Sequence, residues 1–192
     1  MKLATSGHSI DMQHLIRTQD ERFAELARDI VNAAYLRGEF VLSSGAKSSY
    51  YFDKYLFETR PTILRRIAAS FAERLPAETD RIAGPELGGV ALAAALSLTA
   101  GLPFVIVKKA SKGYGTSKIV EGELYRGDRV VVVEDVITSG AQAIHAAQQV
   151  ERSGGRVLAI LAVIDREQGG TENISASGYH FEPLFRRSEL GL

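Results

Sequence analysis

Residues 130–140 read Val-Val-Val-Val-Glu-Asp-Val-Ile-Thr-Ser-Gly, and this stretch decides the fold. A run of valines without polar alternation is typical of a strand that is buried on both faces of a parallel sheet. Glu134 and Asp135 follow at the carboxyl end of that strand. Because open α/β sheets bind ligands at this edge, the stretch predicts an α/β fold with a site at the two acids.

Strand and helix patterns alternate on both sides of this stretch. Short apolar runs predict strands at 81–83, 104–107 and 157–164, and longer segments predict helices at 90–99 and 141–152. Alternation of this kind favours parallel strands that are covered by helices on both faces. We therefore predict an α/β domain built on a Rossmann-like, mostly parallel sheet flanked by helices.

The N-terminal part of the chain is organised differently. Its first residues are polar and weakly periodic, and they are followed by an amphipathic helix pattern that Asp20 and Gly38 are expected to cap. Apolar residues on both sides of a Ser-Ser-Gly turn then predict a small hairpin, which we call the hood. The expected partition is an N-terminal extension over 1–19 and a single domain over 20–192, with the hood at about 38–60 and the core at about 61–170.

The composition excludes several classes of protein. The chain of 192 residues carries 23 Lys plus Arg and 23 Asp plus Glu, and this neutral balance argues against broad binding to nucleic acid or to anionic membranes. The absence of cysteine excludes disulfides, thiolate metal sites and cysteine nucleophiles. No segment has the pattern of a signal peptide or a membrane span. We expect a cytoplasmic protein with no nucleic-acid or membrane partner.

The turn that follows the two acids has the features of a phosphate site. Thr138 and Ser139 offer hydroxyl donors, and Gly140 lets the backbone approach a ligand closely at the start of a helix. Glu134 and Asp135 can accept hydrogen bonds from the neighbouring hydroxyls of a sugar. Hydrogen-bond donors for a phosphate beside acceptors for a diol are typical of a site for ribose 5-phosphate. The alternative is a strand that simply ends in an acidic helix cap.

A lysine-rich loop is the second candidate for chemistry. Residues 108–116 combine Lys108, Lys109 and Lys112 with two glycines, directly after a predicted strand. Such a loop can close over a polyanionic substrate, exclude water and open for release. The alternative is an ordinary solvated basic loop, and the acids at the strand end favour the functional interpretation.

Together these motifs resemble a known family. The strand, the two acids and the Thr-Ser-Gly turn resemble the phosphoribosyl-diphosphate (PRPP) signature of the type I phosphoribosyltransferases, and the lysine loop resembles the catalytic loop of the orotate phosphoribosyltransferases. This chain has Glu134 where the family usually has Asp, Ala141 where a Thr is common and Tyr114 where the family usually has His. In the family the loop reaches into the neighbouring subunit, so the resemblance implies a homodimer with shared active sites.

The resemblance assigns roles to residues of this chain. It implies that Lys112, Asp135 and Glu134 are catalytic. The residues that it implies for PRPP binding are Lys108, Lys109, Lys112, Tyr114, Glu134, Asp135, Val136, Ile137, Thr138, Ser139, Gly140, Ala141 and Gln142.

Three further stretches resemble the orotate enzymes. The hood with its aromatic pair Tyr51 and Phe52, together with Thr138 and the Arg166 of an Asp-Arg motif, is implied to bind orotate. A planar guanidinium suits a flat, oxygen-rich acid. The resemblance implies that Glu86, Leu87 and Gly88 form the pyrophosphate loop. Some members of the family have Lys at the position of Gly88, and some have Lys at the position of Ser43 in the hood. We predict a cis or strained peptide in this loop, with unusual dihedral angles at Gly88 and Gly89.

The resemblance implies transfer of the 5-phosphoribosyl group from PRPP to orotate, giving orotidine 5′-monophosphate and pyrophosphate in pyrimidine biosynthesis. It implies Mg²⁺ as the cofactor, held mainly through PRPP and without a direct protein ligand. One alternative is a type I phosphoribosyltransferase that acts on a purine or uracil, against which the hood and Asp165-Arg166 argue. Another is a non-catalytic PRPP-binding regulator, but residues 1–19 are too short and too weakly basic for a DNA-binding module.

Overall fold

The computed structural model of the chain describes residues 18–41, 45, 47–109 and 118–192. Within these residues the helices are α1 (Gln19–Ala34), α2 (Tyr55–Glu58), α3 (Pro61–Ala72), α4 (Gly88–Ala100), α5 (Ala141–Arg152), α6 (Gly170–Ala176) and α7 (Arg187–Leu190). The strands are β1 (Tyr35–Val41), β2 (Lys47–Phe52), β3 (Arg81–Pro85), β4 (Phe104–Val107), β5 (Val120–Glu121), β6 (Arg129–Ile137), β7 (Arg156–Asp165) and β8 (Phe181–Arg186).

The main sheet has six strands in the order β5-β4-β3-β6-β7-β8. The pairs β3 with β4, β3 with β6, β6 with β7 and β7 with β8 are parallel, and the short β5 runs antiparallel to β4. The predicted mostly parallel sheet is therefore confirmed. Since β3, β6 and β7 point the same way, the loops that follow all three strands emerge at one edge.

The four valines of β6 divide the core into two layers. Val131 and Val133 pack with residues of α1, α3 and α4, whereas Val130 and Val132 pack with residues of α5 and α6. Successive residues of a strand point to opposite faces, so a central strand covered on both faces needs an apolar residue at every position. This double burial explains the valine run.

The strand β8 was absent from the sequence prediction. It contains Pro183 and lies at the edge of the sheet beside β7. Proline lacks the N–H that a second neighbouring strand would require, which restricts it to such edge positions. The core therefore continues beyond the predicted limit at residue 170.

The helix α1 begins and ends earlier than its expected caps. Thr18 accepts a hydrogen bond from the Glu21 N–H at 3.2 Å, and the Glu21 carboxylate accepts one from the Thr18 N–H at 2.8 Å. This reciprocal capping box makes Thr18, and not Asp20, the first cap. The helix ends at Ala34, and Gly38 lies in β1, because the backbone after Ala34 pairs with β2 instead of continuing the helix.

The hood is an antiparallel pair of strands, β1 and β2, as predicted. Tyr35 pairs with Phe52, and the Tyr35 and Tyr50 rings stack at 5.3 Å between centroids. The Asp53 N–H donates to the Ala34 carbonyl at 2.9 Å, which ties the end of the hairpin to α1. The short helix α2 follows and is fixed by the fully buried Phe57. The helix α2 thus connects the hood to the edge of the sheet that carries the acids.

None of the helices in the described parts of the chain combines the length and the apolar character that crossing a bilayer requires.

Candidate active site

The two acids of β6 lie at the base of a cavity. Asp135 is fully buried and Glu134 nearly so. The Lys54 Nζ atom, from the hood, lies 2.6 Å from Asp135 Oδ2. Burial raises the pKa of Glu134 well above its ordinary value, and the charge of Asp135 raises it further. Both effects favour the protonated form of Glu134, while Asp135 is the partner of the Lys54 ammonium.

Glu58 is a third buried acid at the site, and the sequence analysis missed it. It lies at the end of α2, and burial followed by the charge of Asp135 raises its pKa to about 9. Its Oε1 atom and Asp135 Oδ2 both face the start of α4, since a Cβ atom on Gly88 would lie 2.8 Å from the first and 1.8 Å from the second. The space where a side chain of residue 88 would begin is thus filled by carboxylate oxygens.

The turn after β6 forms the opposite wall of this cavity. The cavity measures about 240 Å³ and is lined by Lys54, Glu134, Asp135, Val136, Thr138, Ser139, Gly140, Ala141, Gln142 and Ala143. Gly140 has a φ of +78° at the start of α5, and a Cβ atom there would lie 2.9 Å from the Ile174 side chain. This position needs glycine both for its conformation and for its space.

Most residues that were expected to bind PRPP after β6 therefore share one cavity. Ile137 is different, since its side chain is buried in the core. The turn is also tied to its neighbours: Gln142 donates to the Glu86 carbonyl at 3.2 Å, and Asn173 donates to the Ser139 carbonyl at 2.9 Å. These hydrogen bonds fix the turn relative to the loop after β3.

The loop after β3 has the predicted cis peptide, between Glu86 and Leu87. The expected unusual dihedral angles at Gly88 and Gly89 are wrong. Both residues belong to α4 and neither has a positive φ. They are glycines for lack of space, because a Cβ atom on Gly89 would lie 2.7 Å from the Val133 carbonyl.

The lysine loop falls partly outside the described residues. Lys112 and Tyr114 lie in the part of the chain that the structure does not describe, and so does Ser43 of the hood. Lys109 is exposed at the end of β4, and Lys108 Nζ forms an ion pair with Glu121 at 2.7 Å. The expected contacts of these lysines with PRPP remain predictions.

A second, smaller pocket contains two of the four residues that were expected to bind the base, whereas Thr138 lines the first cavity. Phe52 and Arg166 line the second pocket together with Tyr50, Ile164, Arg187 and Leu192. Tyr50 lines this pocket, whereas the Tyr51 side chain is 43% exposed and lies beside Phe40. Residues 50 and 52 share one face of β2, and the expected contact of Tyr51 with orotate remains a prediction. Arg187 was also missed, since it follows a strand that the sequence did not reveal.

Arg166 is presented by a turn that Asp165 organises. The buried Asp165 carboxylate accepts hydrogen bonds from the Glu167 N–H at 2.9 Å and from the Thr171 hydroxyl at 2.7 Å. The Arg166 N–H donates to the Ile137 carbonyl at 2.8 Å, which links this turn to the end of β6. The acid of the Asp-Arg motif thus positions the arginine.

Comparison with known proteins now places this geometry in a family. The phosphoribosyl transferase domain family matches residues 58–177. An orotate phosphoribosyltransferase of Methanocella arvoryzae is 46% identical over 153 residues, which cover 80% of this chain and 87% of the relative. This chain belongs to the orotate phosphoribosyltransferases.

Solved structures of orotate phosphoribosyltransferases agree with the fold. The Mycobacterium tuberculosis enzyme in complex with Fe(III) dicitrate superposes with a TM-score of 0.81 at 30% identity, over 89% of this chain and 99% of that chain. The same enzyme in complex with PRPP superposes with a TM-score of 0.75 at 28% identity, over the same shares of both chains. The type I phosphoribosyltransferase fold is therefore common to these orotate phosphoribosyltransferases and this chain.

Proposed function

We propose that this chain transfers the 5-phosphoribosyl group of PRPP to orotate in the cavity between β6, the turn of residues 138–142 and the hood. The products are orotidine 5′-monophosphate and pyrophosphate, in the biosynthesis of pyrimidines. The observation that carries the proposal is that Glu134 and Asp135 meet this turn in one cavity. The names of the curated relatives, which are similar over most of the chain, supply the orotate specificity.

The acids and the turn suit the sugar phosphate. Backbone N–H groups of residues 138–142 and the start of α5 are arranged for the 5′-phosphate. Glu134 and Asp135 would accept hydrogen bonds from the ribose hydroxyls. When the orotate nitrogen attacks the anomeric carbon, the bond to the diphosphate breaks and positive charge grows on the ribose. The Asp135 carboxylate would stabilise that charge, and the fixed position of the phosphate adds a large contribution of its own.

The second pocket suits the base. Tyr50 and Phe52 line this pocket with aromatic side chains, and Arg166 would offer a planar fork of donors to the oxygens of the base. These residues come from the hood and from the end of β7, on both sides of the sheet edge. Orotate is a flat anion, so aromatic side chains beside a guanidinium suit its chemistry.

The leaving pyrophosphate would be stabilised by the lysine loop. Lys108, Lys109 and Lys112 remain our candidates, with Lys112 as the catalytic lysine that acts in the neighbouring subunit of a homodimer. Such a loop needs the two-fold arrangement of a dimer to reach a second site. We also propose that the enzyme is cytoplasmic and has no nucleic-acid or membrane partner, because its basic and acidic residues are equal in number.

Magnesium is proposed as the cofactor that PRPP brings to the site. Among the described residues, no group of three or more His, Asp or Glu side chains is arranged to hold a metal ion. Mg²⁺ keeps several water ligands and commonly binds through substrate phosphates, so we propose that PRPP supplies most of its ligands other than water. When bound, the ion neutralises charge on the diphosphate, and the protein's own part is to hold the ribose and the 5′-phosphate.

The proposal is tested by following orotate consumption with purified protein. We expect consumption only when PRPP and Mg²⁺ are both present, and loss of activity when a chelator removes the ion. Asp135→Asn should reduce turnover by about 10²-fold or more, as expected for removal of a group that stabilises transition-state charge. Orotate that stays unchanged with wild-type protein, PRPP and Mg²⁺ would refute the proposed function.

A further inference from the structure

Lys54 lies where the phosphate cavity meets the start of α4. Its Nζ atom is 2.6 Å from Asp135 Oδ2, and the same oxygen would be 1.8 Å from a Cβ atom on Gly88. Lys54 also lines the cavity opposite Ser139 and Gly140. The Lys54 ammonium and the start of α4 thus lie at the same carboxylate oxygen of Asp135.

The local structure around α2 fixes this lysine in place. Asp53 Oδ1 accepts a hydrogen bond from the Tyr55 N–H at 3.1 Å, and Lys54 forms the cap at the start of α2. The buried Phe57 anchors the helix in the core. Glu58 lies four residues after Lys54, so both side chains reach the same region of the site.

The charges of the site leave Lys54 available to an anion. Burial lowers the pKa of Lys54, but the charge and the hydrogen bond of Asp135 outweigh this effect, so the group stays cationic. Glu58 and Glu134 favour their protonated forms, which leaves Asp135 as the carboxylate that Lys54 neutralises. The Lys54 side chain is 33% exposed while that of Asp135 is 1% exposed, so a ligand in the cavity can reach the ammonium.

We propose that Lys54 is a substrate-binding residue that supplies positive charge to the diphosphate group of PRPP and to the pyrophosphate product. The inference rests on the proposed function, because it assigns a ligand to one wall of the same cavity. Gly88 carries no side chain with which to contact that group, and Lys54 approaches the same point from the hood. The hood would thus contribute to both substrates, through its aromatic residues to the base and through Lys54 to the diphosphate.

The test compares variants that share one background, because Lys54→Met alone leaves Asp135 buried without its partner and can impair folding. In Asp135→Asn protein this problem is removed. Calorimetric titration with pyrophosphate and Mg²⁺ then compares Asp135→Asn with the double variant Asp135→Asn/Lys54→Met. We expect pyrophosphate to bind about 10-fold or more weakly to the double variant, the usual effect of one lost charge-assisted hydrogen bond. Ribose 5-phosphate should bind within about twofold, because its phosphate lies on the turn after β6.

Two further variants define what the result means. Lys54→Arg should retain most of the pyrophosphate affinity, since it keeps the charge, and Arg65→Met on the exposed side of α3 should change neither ligand. Equal pyrophosphate affinity in the two Asp135→Asn proteins would show that Lys54 only neutralises Asp135 and would overturn the inference. Wild-type protein that binds neither ligand would instead overturn the proposed function, and this inference with it.

Discussion

Gly88→Ala is the substitution whose effect the structure defines most closely. The added Cβ atom would lie 1.8 Å from Asp135 Oδ2 and 2.8 Å from Glu58 Oε1. An ordinary C···O contact is about 3.3 Å or more, so the Asp135 carboxylate has to move by roughly 1.5 Å. Its surroundings are packed, since both acids are buried and Lys54 forms an ion pair with Asp135. We expect a loss of about 1–3 kcal/mol in the free energy of unfolding, typical of overpacking.

The effect of Gly88→Ala on catalysis should exceed its effect on folding. A displacement of about 1 Å in a positioning group can cost about 10²-fold in rate, so we expect kcat/KM for PRPP to fall by about that factor or more. Steady-state kinetics and urea unfolding measure the two effects. Gly178→Ala is the control. Gly178 has a φ of +86°, which strains an alanine, and an added Cβ atom there would meet no other atom within 4 Å. Activity of Gly88→Ala within about threefold of wild type would refute this account of the acid cluster.

Four other predictions follow from the site. Lys112→Ala should reduce turnover by about 10²-fold or more while PRPP binding weakens less, and turnover within about twofold of wild type would exclude Lys112 from the mechanism. Mixing Lys112→Ala with Asp135→Asn subunits should restore part of the activity in hybrid dimers, and no recovery after verified subunit exchange would argue against shared sites. Arg166→Met should raise KM for orotate by about 10-fold or more with little change in KM for PRPP, whereas equal effects on both would place Arg166 elsewhere. The folded protein keeps a proton on Glu58 up to a pH of about 9, while the unfolded chain releases it near 4.5, so wild-type stability should fall as the pH rises through this window. In urea unfolding across that window, Glu58→Gln should remove a slope of up to about 1.4 kcal/mol per pH unit, and an unchanged slope would contradict the raised pKa.

The parts of the fold that the sequence predicted are those determined by neighbouring residues. The valines of β6, the two acids and the turn are contiguous, so their burial pattern and chemistry can be read together. Long apolar-faced segments likewise predicted α4 and α5 close to their observed bounds. The short α2 and the edge strand β8 were missed, because four residues carry no helical period and Pro183 argues against a strand unless its edge position is known.

The missing parts of the site depend on residues that are far apart in the chain. Lys54 and Glu58, which the sequence analysis did not identify, meet Asp135 and the predicted Gly88 only after the hood, α4 and β6 have packed together. No local pattern links a lysine before a short helix with an acid about 80 residues later. The sequence analysis did not distinguish Tyr50 from Tyr51, because either tyrosine fits an aromatic pair with Phe52. Only the two-residue period of β2 places Tyr50 on the same face of the strand as Phe52.

Pyrophosphate release with a panel of bases tests the central claim most directly. Wild-type protein would be incubated with PRPP, Mg²⁺ and either orotate, uracil, hypoxanthine or guanine at equal concentrations. The account predicts rapid release with orotate and at least about 10²-fold slower release with the others, because only orotate among these bases carries a carboxylate for Arg166, beside Tyr50 and Phe52. Faster release with uracil or a purine would contradict the orotate assignment, and no release with any base would indicate a protein that binds PRPP without catalysis.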